Sequence, residues 1–245
     1  MAVHIGTSGW VYPHWRGVFY PQRLPQRSWF AHYAQTFHTV EINNSFYRLP
    51  SPAIFQAWRA QAPTGFVYAL KASRFITHVR RLKDFQEPLQ RFLTGASVLG
   101  PALGPVLYQL PPNWKVDAGR FNAFLEGLPG GYTHVVEFRD PSWTSEEIFH
   151  LMERRGVVHC LHDYPGAAPP LRLTAPVVYI RMHGDQLHAG DYRPASLRTW
   201  ASRIRVWSQE GRSVFMYFNN DLGGAAIRNA LTEREMLRSA GVACA

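Results

Sequence analysis

Short apolar runs rich in β-branched and aromatic residues recur along the chain, separated by longer stretches whose apolar residues fall three or four apart. The short runs read as strands at His4–Thr7, Thr39–Asn43, Val67–Lys71, Pro105–Leu110, His134–Phe138, Val157–His162, Val177–Met182 and Val214–Phe218. The longer stretches read as helices. Ser28 is placed to cap one through Phe37, and Ser51-Pro52 opens the next with proline in its first turn. Asp117 caps a helix to Leu128, and Thr144-Ser145-Glu146-Glu147 has capping-box spacing before a helix to Arg154. Pro194 begins a stretch to Glu210, and a last helix runs from about Gly224 to Arg238. Strands that alternate with helices form a parallel sheet, because each parallel crossover needs a long connection. Eight such units close a (β/α)8 TIM barrel, which takes about 250 residues; this chain has 245. No Gly/Ser linker divides it, so residues 1–245 read as a single domain. An open doubly wound sheet would need a glycine-rich turn after the first strand, and none is present. Gly166-Ala-Ala-Pro-Pro170 carries no helical pattern, so the helix between strands six and seven is expected to be missing or irregular.

Strand side chains alternate between faces, and a charge turned toward the helices would be buried without water. Polar residues late in each strand are therefore expected on the barrel axis or at its open mouth. Glu41 and Asn43 share a face, as do Lys71 and Ser73, Glu137 and Arg139, Arg181 and His183, and Tyr217 and Asn219. Gln109 ends strand four, Asp163 follows strand six, and Asp221 lies beyond strand eight. The intervening residues, such as Val40, Leu70, Val136, Ile180 and Met216, are apolar. Barrel chemistry sits at the carboxyl ends of the strands, so these residues predict a polar pocket there. The alternative is a structural network in which Glu41, Glu137 and Asp163 pair with Lys71, Arg139 and Arg181. Buried ion pairs rarely stabilise a fold relative to an apolar core, which favours the pocket.

Composition narrows the partners. The formal charge is +9 and the isoelectric point about 9.9. A basic balance favours a small anionic or phosphorylated substrate, with DNA or RNA as a further candidate, although arginines on helices also solvate surfaces. No run of 18 apolar residues suggests a membrane span, and the start MAVHIGTSGW does not read as a signal peptide. Two cysteines, Cys160 and Cys244, make a disulfide framework unlikely, so a cytoplasmic location is expected. No feature specifies an oligomeric state.

Several segments carry candidate chemistry. Gly9–Gly17 holds Trp10, Tyr12, His14, Trp15 and Arg16 in a segment too broken for a helix. Trp10 and Trp15 are candidates to stack on bases or sugars, with Phe46, Tyr47, Trp114 and Trp143 extending the wall; equally, these rings serve to plug the barrel top. Asn219-Asn220-Asp221-Leu222-Gly223-Gly224 leads into a helix, and free backbone N–H groups there favour an anion, beside Arg181, His183 and the loop Gly184-Asp185-Gln186. Glu41 and Glu137, three strands apart, suit an acid–base or nucleophile–acid pair in a glycoside hydrolase. No cofactor and no metal ligands are predicted. A divalent metal held by Glu41, Glu137, Asp163, His183 and Asp221 is conceivable but is opposed by the nearby cations, and His159 and His162 fall on opposite faces. Cys160 reads as a packed residue. Lys71 is a Schiff-base candidate if neighbours depress its pKa.

Several blocks in order resemble the YecE-like family, domain of unknown function 72: IGTSGWVYPHWRGVFYP, TVEINNSFYRLP, FVYALKASRFITH, LGPVLYQLPPNW, VVEFRDPSW, YIRMHG and MYFNND. The resemblance spans nearly the whole chain. It implies a TIM barrel and fixes no reaction. Where it leads one to expect a His after the Arg of the fifth-strand block, this chain has Asp140.

Together these readings favour an enzyme of hydrolase or lyase type acting on a phosphorylated or nucleic-acid substrate at the carboxyl rim. Glu41, Lys71, Glu137, Asp163 and His183 are its catalytic candidates. Trp10, Trp15, Asn43, Tyr47, Gln109, Arg139, Trp143, Arg181, Tyr217, Asn219 and Asp221 are its binding candidates. A non-catalytic barrel that binds nucleic acid or an anionic ligand, and the glycoside hydrolase, are the alternatives.

Overall fold

The computed structural model describes residues 2–164, 168–185 and 190–245. All eight expected strands form: β1 (Val3–Thr7), β2 (Thr39–Ile42), β3 (Val67–Lys71), β4 (Leu103–Gln109), β5 (His134–Glu137), β6 (Val158–His162), β7 (Val177–Met182) and β8 (Ser213–Phe218). They pair in parallel in the order β1-β8-β7-β6-β5-β4-β3-β2, each strand beside its neighbour in sequence except where β8 returns to β1. The barrel closes between β1 and β2 through one bridge, Ser8 opposite Glu41. Two side-chain features serve that seam. Gly6 has no Cβ, and one built there would meet the Thr39 carbonyl oxygen at 2.5 Å, so only glycine lets the strands approach. The Tyr33 hydroxyl stands in for missing ladder bonds: it accepts from the Thr7 amide at 3.1 Å and donates to the Thr39 carbonyl at 3.0 Å.

The helices are α1 (Trp29–Ala34), α2 (Asn44–Tyr47), α3 (Pro52–Gln61), α4 (Gln86–Ala96), α5 (Ala118–Glu126), α6 (Glu146–Arg155), α7 (Pro194–Gln209) and α8 (Ala225–Ser239). Asp117 caps α5 as expected, accepting from the Arg120 amide at 3.0 Å. The cap of α6 is Ser145 rather than Thr144, accepting from Ile148 at 3.4 Å, and Ser28 and Ser51 make no capping bond. The patterns above omit α4. Its stripe Leu89, Phe92, Leu93 and Ala96 has helical spacing, but Pro88 lies in its first turn and Arg81, Leu82 and Asp84 before it hold positive φ. Between β6 and β7 the described residues contain no helix. No helix is long and apolar enough to cross a membrane among the described residues.

Strand parity sorts the core into two clusters. Val40, Ile42, Leu70, Val106, Val136, Ile180 and Met216 pack outward under the helices. Ala69, Leu107, Val135, Val158, Cys160, Tyr179, Phe215 and Tyr217 fill the barrel interior. One step further along the same inward rows come Lys71, Gln109, Glu137 and Arg181, at the carboxyl ends. The apolar interior plugs the barrel below, so the polar layer can open only upward.

Candidate functional site

Arg181 organises the polar layer. It is 1% exposed, at the end of β7, where it follows inward-facing Tyr179 by two residues. Its guanidinium grips Glu41 with both arms, Nε to Oε1 and Nη2 to Oε2, each at 2.9 Å. The remaining arm reaches Glu137 Oε2 at 2.8 Å. Glu41 also accepts from Ser8 Oγ at 2.7 Å and Tyr179 Oη at 2.8 Å, and the Arg139 guanidinium bonds the other Glu137 oxygen. Both carboxylates are fully buried. Burial by itself would raise their pKa values, but the Arg181 charge and these hydrogen bonds outweigh it, holding Glu41 below and Glu137 well below the usual range. Both are therefore ionised and fully partnered.

This revises the acid–base role expected of Glu41 and Glu137. A glycosidic general acid needs a proton near neutral pH, and neither carboxyl retains one. Their expected partners also differ in part: Lys71 pairs with neither, and its Nζ donates to Gln109 Oε1 at 2.7 Å.

Above this layer lies a cavity of about 390 Å3. Asn43, Tyr47, Lys71, Gln109, Arg139, Arg181, His183 and Asn219 line it. Eight expected site residues thus converge. Tyr164 and Pro112 also line it and were not anticipated. The signal for Tyr164 was its place directly after Asp163, on the loop that leaves β6. Its ring lies 3.9 Å beneath the Arg139 guanidinium carbon, a cation–π contact that holds Arg139 over the cavity. Among the described residues no carboxylate lines the cavity.

His183 is neutral. Burial foremost, and then Arg181, push its pKa down to about 2. Arg139 Nη2 lies 2.9 Å from His183 Nε2; an arginine can only donate, so Nε2 accepts and the ring proton sits on Nδ1. The Asn219 amide nitrogen lies 3.3 Å from His183 Nδ1. Asp163 does not line the cavity. It accepts from the His183 amide at 2.7 Å and from the Tyr192 hydroxyl, and burial raises its pKa. Its role is to hold the segment that carries His183. Burial first, then Arg181, lowers the pKa of Lys71 to about 8.

Other expected residues lie elsewhere. Trp15 and Trp143 are fully buried, their Nε1 donors spent on Asp221 Oδ1 and the Trp114 carbonyl, both at 2.6 Å. Trp10 packs edge-on against Phe30. These rings plug and brace the barrel top, so the exposed aromatics at the mouth are Tyr47 and Tyr164 instead. Tyr217 lies deeper, hydrogen-bonded to Thr39 at 2.7 Å. Asp221 is taken by Trp15 and His14. At the Gly223-Gly224 turn, expected as an anion site, a Cβ on Gly224 would meet Val18 at 3.2 Å, and Arg228 Nη1 donates to the Gly223 carbonyl at 2.7 Å. Asp140 caps the following turn through the Ser142 amide at 3.0 Å and pairs with Lys115 at 3.2 Å. Gln186 and His188 lie outside the described residues. Among the described residues no three His, Cys, Asp or Glu side chains converge as metal ligands, because the acids proposed for that role are each committed to another partner.

Comparison with known proteins adds relatives to this geometry. The chain is 32% identical to the UPF0759 protein YecE of Escherichia coli (strain K12) over 142 residues, 58% of this chain and half the length of that protein. It is 26% identical to the UPF0759 protein YunF of Bacillus subtilis (strain 168), covering 96% of this chain and 94% of that one. A crystal structure of a DUF72 family protein (TM1631) from Thermotoga maritima superposes with a TM-score of 0.87 at 27% identity, over 97% of this chain and all of that one. The family described as "Protein of unknown function DUF72" matches residues 4–244, nearly end to end, and the chain belongs to it.

Proposed function

We propose that the rim cavity is the active site of an enzyme acting on a small phosphorylated or otherwise anionic substrate. One observation carries this reading: among the described residues every charged side chain lining the cavity is a cation, while the adjacent carboxylates are bound by Arg181. Arg139, with Nε on Glu137 and Nη2 against His183, brings a guanidinium charge to phosphate or carboxylate oxygens through its remaining N–H groups, and Lys71 adds a compact charge. Asn43, Gln109 and Asn219 supply neutral polar groups for the rest of the ligand. A cavity of about 390 Å3 suits a small molecule or the end of a larger one. A nucleic acid would therefore enter by a terminal or extruded unit.

Within the expected reaction types, the geometry favours a lyase over a hydrolase. Among the described residues no carboxylate or metal cluster reaches the cavity to activate water. Lys71, by contrast, can gain or lose a proton near neutral pH. The alternative, a barrel that binds anions without turnover, shares the cavity and differs only in chemistry.

The test is isothermal titration of the protein with inorganic phosphate and with small phosphorylated aldehydes, ketones and nucleotides, followed by product analysis. Saturable binding lost in Arg139→Gln, with turnover of one class, supports the enzyme. Binding without turnover across all classes favours the pure binder. No binding of any anion would remove the proposal.

A further inference from the structure

The chain contains 23 arginines and only three lysines, Lys71, Lys83 and Lys115. Arginine is thus the cation used almost everywhere, including both partners of the buried carboxylates. Lysine differs from arginine chemically in one decisive way: its amine can lose a proton and become a nucleophile at accessible pH. Lys83 and Lys115 are exposed, and Lys115 is paired with Asp140. Lys71 sits in the cavity wall, 9% exposed.

The surroundings of Lys71 Nζ are built for an amine rather than for an ion pair. Its hydrogen-bond partner is a neutral amide, Gln109 Oε1 at 2.7 Å, and no carboxylate lies within salt-bridge distance among the described residues. On another side Nζ lies 4.1 Å from the centre of the Phe46 ring. One of its three N–H positions goes to Gln109 and a second to the ring face, which leaves the third for the cavity. The backbone is fixed from below by Ser45 Oγ, which donates to the Lys71 carbonyl at 2.7 Å. Arg139, which follows β5, lines the same cavity and can hold an anionic group while a neighbouring carbon meets the amine.

We infer that Lys71 captures the carbonyl carbon of an aldehyde or ketone that also carries a phosphate or carboxylate, forming an imine. This deepens the proposed function and rests on the cavity binding anions. The step balances: the Lys71 ammonium loses a proton to solvent, the free amine adds to the carbonyl, and the carbinolamine takes up one proton and expels water. Ammonium plus carbonyl thus gives protonated imine plus water, with the positive charge kept and no oxidant required. Burial and the neighbouring cations favour the first loss: with its pKa near 8, Lys71 carries on the order of a hundredfold more free amine at pH 7 than an ordinary lysine.

The experiment incubates the full-length protein at pH 7.5 with glycolaldehyde phosphate, or with uncharged glycolaldehyde, in the presence of borohydride, which reduces an imine to a stable secondary amine. Peptide mass mapping then reads the adduct on each of the three lysines. The expected result is at least tenfold more adduct on Lys71 than on Lys83 or Lys115, suppressed by excess inorganic phosphate and retained in the Lys83→Arg/Lys115→Arg variant. Lys71→Arg should abolish it; because the main readout is on the unaltered protein, misfolding of that variant would not rescue or defeat the inference. Adduct spread evenly over the three lysines, in protein that binds phosphate calorimetrically, would overturn the imine and leave the anion cavity standing. Lys71 labelled as fast by the uncharged aldehyde as by the phosphorylated one would overturn the assigned substrate class.

Discussion

Arg181 and Glu41 face each other as a two-pronged pair, both nitrogen-to-oxygen distances 2.9 Å, at the point where β2 approaches β1 to close the barrel. The same guanidinium ties Glu137 on β5 to β7, so one side chain links three strands across the mouth. Replacing Arg181 by Met leaves Glu41 buried without a cationic partner and Glu137 with Arg139 alone. The expected loss is about 3–5 kcal/mol, a fall in melting temperature of roughly 10 °C for a chain of this size. Replacing the triad together, as R181M/E41L/E137M, should cost less than R181M alone. Calorimetric melting of the two variants checks this, and a loss under about 1 kcal/mol in R181M would show that the network does not hold the rim.

Arg139 is held over the cavity by Tyr164. Tyr164 is 44% exposed, so Tyr164→Ala should leave the melting temperature nearly unchanged. It should weaken binding of phosphate by roughly two- to fivefold, the worth of an exposed cation–π contact. Arg139→Gln should weaken it by tenfold or more, since a charge-assisted bond is lost outright. Equal affinities in all three proteins would place the anion elsewhere.

The pH dependence of anion affinity follows from Lys71 and not from His183. Lys71 is charged below its pKa of about 8 and neutral above it, so affinity should fall as pH rises through 8. His183, lowered to about 2, stays neutral throughout and should leave no break near 6.5. Sulfate is the suitable probe because it does not titrate in this range. Its affinity should be level from pH 5.5 to 7 and drop by roughly tenfold by pH 9.5. A step centred near pH 6.5 would contradict the neutral imidazole.

Stability should fail early on the acid side. Burial lowers His4 and His159 to about 4 and His183 to about 2. In each case the folded value lies below the unfolded one, so between these values the unfolded chain binds more protons. The stability these groups contribute is complete above pH 6.5 and lost as pH falls. Each gives a slope of about 1.4 kcal/mol per pH unit, or roughly 4 for the three together, between about pH 6 and 4. Urea unfolding at pH 7, 6 and 5 measures it; a flat midpoint across that window would refute the buried neutral histidines.

The barrel seam offers a backbone test. Gly6→Ala places a methyl 2.5 Å from the Thr39 carbonyl oxygen, and neither partner is a movable side chain tip. The strands must separate, disturbing the Ser8–Glu41 bridge, and a loss of about 2–3 kcal/mol is expected in a denaturant melt. An unchanged midpoint would mean the seam carries slack.

Much of this protein was legible in its sequence because two periodicities are local. Alternation along a strand decides which residues face the axis, so Lys71, Gln109, Glu137 and Arg181 could be assigned to one inward layer before any coordinates, and eight repeats of strand and helix fix a closed parallel barrel. What alternation cannot say is which of those inward charges meet. Glu41 and Glu137 look like a catalytic pair in the sequence, yet Arg181 reaches both and withdraws them; Lys71, a catalytic candidate with ion pairing as the alternative, is left with an amide and an aromatic ring. Trp15 and Trp143 look like stacking surfaces, but their indole nitrogens are drawn to acceptors far away in the chain, Asp221 and Trp114. The reason is physical: burial and charge pairing depend on distances between segments remote in sequence. Composition and spacing therefore set the fold and the rim, and only the tertiary arrangement decides which side chain stays free to act.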